Sequence, residues 1–208
     1  MLTQSNRWLA AQELASIQMK YAKSGRTLNQ AALCGTREFI EWQHYPNNDL
    51  IDENTGYEFY YHAHSADEMS KGEHGHFHVI KRNTDGFHHL LGIALDQKGL
   101  AVRLFTTNQW VTGEAIVDSS VAILSVRGFQ MDIRGRMAPV CKWIGALMQL
   151  FQPEIEELLF ERDRQIARLT SKQGSREYVL NSRKYHVLSE CKIDLMERLS
   201  ENLLSLNS

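Results

Sequence analysis

Two short runs concentrate the residues able to do chemistry: His62-Ala63-His64 and Glu73-His74-Gly75-His76-Phe77-His78. Eight of the nine histidines fall between His44 and His89, so the signal lies in their clustering and not in their number. Side chains of an extended segment alternate between its two faces. Glu58, Tyr60, His62 and His64 therefore share one face of a strand over 57–64, with Tyr57, Phe59, Tyr61 and Ala63 on the other. On a second strand, His74, His76 and His78 share a face opposite Gly75, Phe77 and Val79.

Pairing the two strands antiparallel, with both apolar sets turned to the core, fixes the parity of the register. A loop centred near Met69 sets His62 opposite His76 and His64 opposite His74. Directly opposed residues have Cβ atoms about 4.5–5.5 Å apart. Imidazoles from such positions can converge on one ion, with metal–nitrogen bonds of about 2.0–2.1 Å for zinc. The expected ligands are His62, His64, His76 and His78, with Glu73 as a further carboxylate. That donor set suits zinc, iron, nickel or copper better than magnesium or calcium, and a divalent zinc or iron ion is the leading expectation. Three protein ligands and an open position make a catalytic site, whereas four closed round the ion make a structural one.

Two other readings of the same residues stand beside this one: histidine catalysis without a metal, and a polar sheet face of purely structural value. Of His88 and His89, only one can join the imidazole face. His186 stands alone and is set aside as an ordinary surface or hydrogen-bonded residue.

The flanks supply candidate partners. His44, with Tyr60, is expected to contact substrate. Asp49 or Asp52 either orients a ligating histidine or caps a turn. The run 105–114 ends the histidine region with more functional groups than a connector needs. Asn108 and Trp110 are candidate substrate contacts, and Glu114 is a general base or late ligand, or else simply begins a helix. Glu73, His76 and Glu114 are the catalytic candidates.

The elements that must position these groups follow from periodicity and turn chemistry. Helices are expected over 5–23 and 27–42, and 44–56 is expected to be loop. Strands follow over 57–64, 74–81, 88–95 and 100–106, the last two joined tightly by Asp96-Gln97-Lys98-Gly99. Asp118 and Ser119 can cap a helix reaching toward Gly128. Pro139 and Pro153 suit the first turns of helices running to Phe151 and to about Leu169. A loop over 171–176, a short extended piece over 185–191 and a helix over 193–205 complete the chain. The expected fold is α+β: an antiparallel β-meander of about four or five strands flanked by N-terminal and C-terminal helices. It forms a single domain over 1–208, with helices in 1–45, the histidine-bearing sheet in 57–107 and a mainly helical part in 114–208.

Bulk properties narrow the function. The 208 residues carry 23 Lys+Arg against 25 Asp+Glu, a net charge of -2. Such a chain has no broad field to attract nucleic acid or anionic lipid. Three scattered cysteines, Cys34, Cys141 and Cys191, form neither a disulfide framework nor a thiolate zinc site. No stretch has the roughly 20 apolar residues of a membrane span, and no apolar signal core follows Met1. A cytoplasmic protein with a small-molecule substrate is expected, without nucleic acid or membrane partners. Oligomeric state is left open.

The combination of Glu41-Trp42, His44-Tyr45-Pro46, Asp49, Tyr60-Tyr61-His62-Ala63-His64, the second histidine run and 108–114 resembles a family of conserved bacterial proteins of no assigned function. That resemblance extends through 150–155 and Arg162-Asp163 and implies no reaction. Locally, His74-Gly75-His76-Phe77-His78-Val79-Ile80 is similar to the signature of the histidine-triad nucleotide hydrolases and transferases. That resemblance implies His76 as a nucleophile toward a nucleotide α-phosphate, although Gly75 departs from the pattern and about 130 residues follow the motif. The His-x-His and Glu spacing is loosely similar to that of cupin-like metal enzymes, whose second glycine-flanked motif is absent. Phosphate-binding glycine loops, the Gly-x-Ser-x-Gly elbow and His-Glu-x-x-His are also absent.

Overall fold

The structure is a computed structural model and describes residues 3–36, 38–65, 70–84 and 86–204. The chain opens with α1 (Gln4–Lys23), whose N-cap Thr3 accepts from the Asn6 N–H. Ala10, Leu14, Ile17 and Tyr21 recur at helical spacing and are buried on one side. A capping box between Thr27 and Gln30 starts α2 (Leu28–Ala32). This helix is far shorter than the 27–42 expected. Cys34 (φ 52) and Gly35 (φ 89) both enter the left-handed region and stop it.

The expected loop 44–56 is instead largely strand β1 (Tyr45–Asp52), followed by β2 (Tyr57–His62), β3 (Glu73–Asn83), β4 (Gly86–Asp96) and β5 (Ala101–Thr107). The turn-forming residues of β1 are tolerated because it is an edge strand. Its register jumps from Tyr45↔Tyr61 to Leu50↔Phe59, and Asp49 absorbs the irregularity at φ 47. Helices α3 (Gln109–Thr112), α4 (Ser119–Arg127), α5 (Ala138–Leu150), α6 (Gln152–Gln173) and α7 (Arg176–Asn181) come next, then β6 (Val187–Lys192) and α8 (Leu195–Leu204). The expected cap of α4 by the Asp118 side chain does not form. The Ser119 N–H donates to Asp163 Oδ2 at 2.6 Å instead. Helix α6 carries through to Gln173, and α7 follows within three residues, so the loop expected over 171–176 shrinks to Gly174-Ser175.

The six strands form one sheet in the order β1-β2-β3-β4-β5-β6, every pair antiparallel. One face carries Phe59, Tyr61, Phe77, Val79, Leu91, Ile93 and Leu104, all buried in the main core with α1, α5 and the first half of α6. Phe77 and Trp143 of α5 meet there with ring centroids 6.2 Å apart. The second half of α6 joins α7 and β6 in a smaller cluster of Ile166, Leu169, Val179, Leu180 and Leu188. This second core carries the 182–186 turn past the C-terminal end of β5, where it walls the other face of the sheet. No helix of the described residues is long and apolar enough to cross a membrane.

Candidate metal centre

The sheet face opposite the main core presents Tyr60 and His62 of β2, His76 and His78 of β3, His89 of β4, and Arg103, Phe105 and Thr107 of β5. The register is the one parity demands: Tyr60↔His78 and His62↔His76. Next along that row, His78 pairs with Gly92, and Gly92 with Phe105. A Cβ on Gly92 would stand 2.3 Å from the Phe105 ring, so the absent side chain lets that ring lie across β4. The ring then packs edge-on against His76, with centroids 5.2 Å apart.

The three central imidazoles meet through their Nε2 atoms. His62 Nε2 lies 2.8 Å from His76 Nε2 and 3.2 Å from His78 Nε2. All three residues are buried, with one nitrogen of each within 4.8 Å of the others. Burial, reinforced by neighbouring imidazoles, lowers the His62 pKa to about 3 and holds His76 and His78 well below the ordinary histidine range. The rings are therefore neutral at physiological pH. His62 Nε2 can offer one proton at most to two acceptors. A divalent ion satisfies all three lone pairs at once. Nitrogens bound tetrahedrally at about 2.0–2.1 Å stand roughly 3.3 Å apart, so the observed spacing needs only a few tenths of an ångström of opening.

Behind this triad, His78 Nδ1 lies 2.8 Å from His89 Nε2, and His89 Nδ1 lies 3.2 Å from Thr107 Oγ1. His89 is thus the member of the His88/His89 pair that joins the imidazole face. A register shift between Val79 and Ile80 sets it opposite Ile80. His88 turns away, toward Ser125 Oγ at 3.2 Å. The His89 backbone N–H donates to Glu114, which is buried and whose pKa burial pushes up to about 7. Among the described residues, the buried His62 Nδ1 and His76 Nδ1 find no hydrogen-bond partner.

The remaining expectations divide. His64 stays beside the triad, its ring centroid 5.0 Å from that of His62 and 5.1 Å from that of His76, but its nitrogens fall outside the converging group. His74 does not share the face of His76 and His78. The shift between Glu73↔Asp96 and Gly75↔Leu95 is a bulge that throws His74 to the apolar side. There its Nδ1 lies 2.8 Å from the Tyr61 hydroxyl and its ring packs on Phe39. Strand β2 ends at His62, so the pairing of His64 with His74 does not form. The loop placed near Met69 lies outside the described residues.

Glu73 faces the cavity and receives two hydrogen bonds from Arg103, at 2.6 and 2.9 Å, while Arg103 also donates to Glu190 at 2.8 Å. Asp49 accepts from or pairs with His44 Nδ1 at 2.9 Å, and the His44 ring stacks on Tyr60 with centroids 3.7 Å apart. Asp52 instead accepts the Asn54 and Asp132 backbone N–H groups, which holds its carboxyl below the usual range. The Asn108 side chain is fully buried and donates to the Val179 and Tyr185 carbonyls, tying down the 182–186 turn. Trp110 Nε1 donates to the same Tyr185 carbonyl, and its ring lines the cavity.

Above the triad is a cavity of about 880 Å³. His44, Tyr60, His62, His64, Glu73, His76, His78 and Trp110 all line it. Trp42, Arg103, Phe105, Arg183 and His186 line it too, none of them foreseen from sequence. His186 stacks on Trp110 at 5.1 Å, which corrects its dismissal as an isolated histidine. No local motif announces it, because the Asn108 clamp brings it in from a distant segment. Arg103 and Phe105 carried a usable signal: they alternate with Leu104 in β5 and so belong to the face opposite the core.

These coordinates define an α+β protein with a buried three-histidine centre at the floor of an open cavity. Residues 8–193 match the family described as Domain of unknown function (DUF6969), and the chain belongs to that family. No curated protein matches the chain, and no solved structure does.

Proposed function

We propose that this protein is a metal-dependent enzyme that holds one divalent ion on His62, His76 and His78 and acts on a small polar molecule in the cavity above them. The observation that carries this reading is the meeting of three neutral, buried Nε2 atoms at 2.8 and 3.2 Å. Neutral imidazole is the form that binds metal. Three nitrogen ligands without a carboxylate favour zinc, with iron(II) next. When bound, the ion supplies Lewis acidity toward an oxygen of the substrate.

The chain's own groups have separate tasks. His78 is held in one ring orientation by His89 and Thr107, the supporting role that outer partners play for ligating histidines. Asp49 occupies one nitrogen of His44 and leaves the other for substrate. Arg103 pins Glu73 and Glu190 at one end of the cavity. Tyr60 keeps its proton, because burial and the nearby Asp49 carboxylate raise its pKa. The three free thiols suit a reducing cytoplasm.

The test is elemental analysis of the purified protein beside a His62→Ala/His76→Ala variant of confirmed fold. About one metal ion per chain, lost in the variant, is the expected result. Protein that is isolated metal-free and takes up neither zinc, iron nor nickel on dialysis overturns the proposal.

A further inference from the structure

Charge and ring geometry around the cavity point to its ligand. Among the described residues, the charged ones lining it are Glu73, Glu190, Arg103 and Arg183, two of each sign. They balance before any metal is counted. Three neutral imidazoles add nothing to offset the charge of a divalent ion, so a metal-loaded floor is positive at the ion and favours an anion there. Both carboxylates are engaged by Arg103. Arg183 makes no ion pair among the described residues and lies over the Trp110 ring at the rim, 5.5 Å from its centroid.

The walls are made of rings. Trp42 stacks on His64 with centroids 4.2 Å apart and planes 18° from parallel, and His44 stacks on Tyr60 at 3.7 Å and 10°. The Tyr60 and His64 rings lie 5.4 and 5.0 Å from the His62 ring between centroids, so both stacks adjoin His62. His62 itself stands nearly perpendicular to His44, Tyr60 and His64.

Two residues beside these walls have left-handed backbone: Trp42, in one stack, and Asp49, the partner of His44. Trp42 (φ 68) and Asp49 (φ 47) are two of the three non-glycine residues in the left-handed region among those described. Such strain gathers at ligand-binding positions. Trp42 is 55% exposed, so core packing does not explain its posture.

From these observations we infer that the cavity binds a small aromatic or heteroaromatic carboxylate, with its carboxylate directed to the metal centre and its ring held by the Trp42/His64 and His44/Tyr60 stacks. This rests on the metal reading above. Aromatic pairing contributes beyond buried area, and the cation-bearing floor selects for the acid over neutral analogues.

The test uses cobalt(II)-loaded protein, whose visible absorption reports the metal and whose tryptophan fluorescence reports the wall. Benzoate, cyclohexanecarboxylate and benzyl alcohol are the probes. Benzoate is expected to change the cobalt spectrum and to bind about tenfold tighter than cyclohexanecarboxylate, with benzyl alcohol weaker than either. Trp42→Ala, at an exposed position, is expected to weaken benzoate about fivefold with cobalt stoichiometry unchanged. A cobalt-loaded protein that binds benzoate no better than cyclohexanecarboxylate, or binds neither, overturns this inference and leaves the metal centre standing. Failure to load cobalt or any other divalent metal takes away the metal reading and this one together.

Discussion

His78 Nδ1 faces His89 Nε2 across 2.8 Å, and the opposite nitrogen of His89 faces Thr107 Oγ1 at 3.2 Å. The Nε2 that His78 turns into the triad is thereby coupled through a second ring to β5. With an ion on Nε2 of His78, as proposed, its Nδ1 would carry the proton and donate to His89 Nε2, and His89 Nδ1 would in turn donate to Thr107 Oγ1. Among the described residues, the buried Nδ1 atoms of His62 and His76 find no such partner. His89 is thus the outer residue that fixes the ring orientation of His78.

Replacing it tests that dependence. His89→Phe keeps a buried ring but removes the acceptor. Metal affinity is expected to fall by about 10–100-fold, the usual effect of losing an outer partner. Competition with a chelator of known affinity measures it. A variant that competes as well as the native protein shows that the His78–His89 contact has no part in binding metal.

The depressed histidine pKa values make a prediction about stability. His62 and His89 titrate at about 3 in the folded chain, against an ordinary value of 6.5, because burial disfavours their charged forms. Between those values the unfolded chain binds more protons than the folded one, so stability rises with pH. The contribution is fully present above pH 6.5 and is lost progressively as pH falls toward 3. Each such histidine contributes a slope of up to about 1.4 kcal/mol per pH unit. Urea unfolding of metal-free protein at pH 7.5, 6.5 and 5.5 checks this, and a flat profile contradicts the buried neutral cluster.

The sequence carried the core of the site because 57–62 and 75–79 alternate regularly, with an apolar set on one side. Parity alone then sets His62 against His76 and Tyr60 against His78. What it did not carry are departures from regular strand geometry. The bulge at His74 depends on Gly75, where a Cβ would stand 2.5 Å from the Tyr61 hydroxyl, a contact no pattern of residue types displays. Strand β1 was hidden because Pro46, Asn47, Asn48 and Asp49 are turn-formers; they fall in the register jump between Tyr45↔Tyr61 and Leu50↔Phe59, an irregularity that an edge strand tolerates. Helix boundaries with caps or first-turn prolines, as in α5 and α6, were legible. The His186 wall was not, since it reaches the cavity through tertiary packing of α6, α7 and β6.

The bulge makes His74 a control within the histidine run. Its ring sits on the apolar side, against Phe39 and Tyr61. His74→Ala is expected to retain metal at full stoichiometry, whereas His76→Ala loses it. The cost falls on stability instead: the buried Tyr61 hydroxyl loses its partner, worth about 1–3 kcal/mol. Metal content and unfolding free energy of the two variants separate the roles. Loss of metal from His74→Ala at unchanged stability contradicts the assignment of faces.

Glu114 tests the other side of the network. Burial lifts its carboxyl from an ordinary 4.5 to about 7, opposed by the His89 N–H and the Arg162 charge. Here the folded chain binds more protons than the unfolded one between those values, so the sign reverses: stability is fully present below pH 4.5 and is lost as pH rises through 7. Glu114→Gln keeps an oxygen to accept from the His89 N–H while removing the ionisation. The variant is expected to match the native protein near pH 5 and to exceed it at pH 8 by up to about 3 kcal/mol. Because the Glu114 oxygen holds the backbone of His89, metal affinity measured by chelator competition is expected to change by less than about tenfold. A native protein that gains nothing from the substitution at pH 8 carries an ionised Glu114 at no cost, and its carboxylate is then stabilised by Arg162 more strongly than burial opposes it.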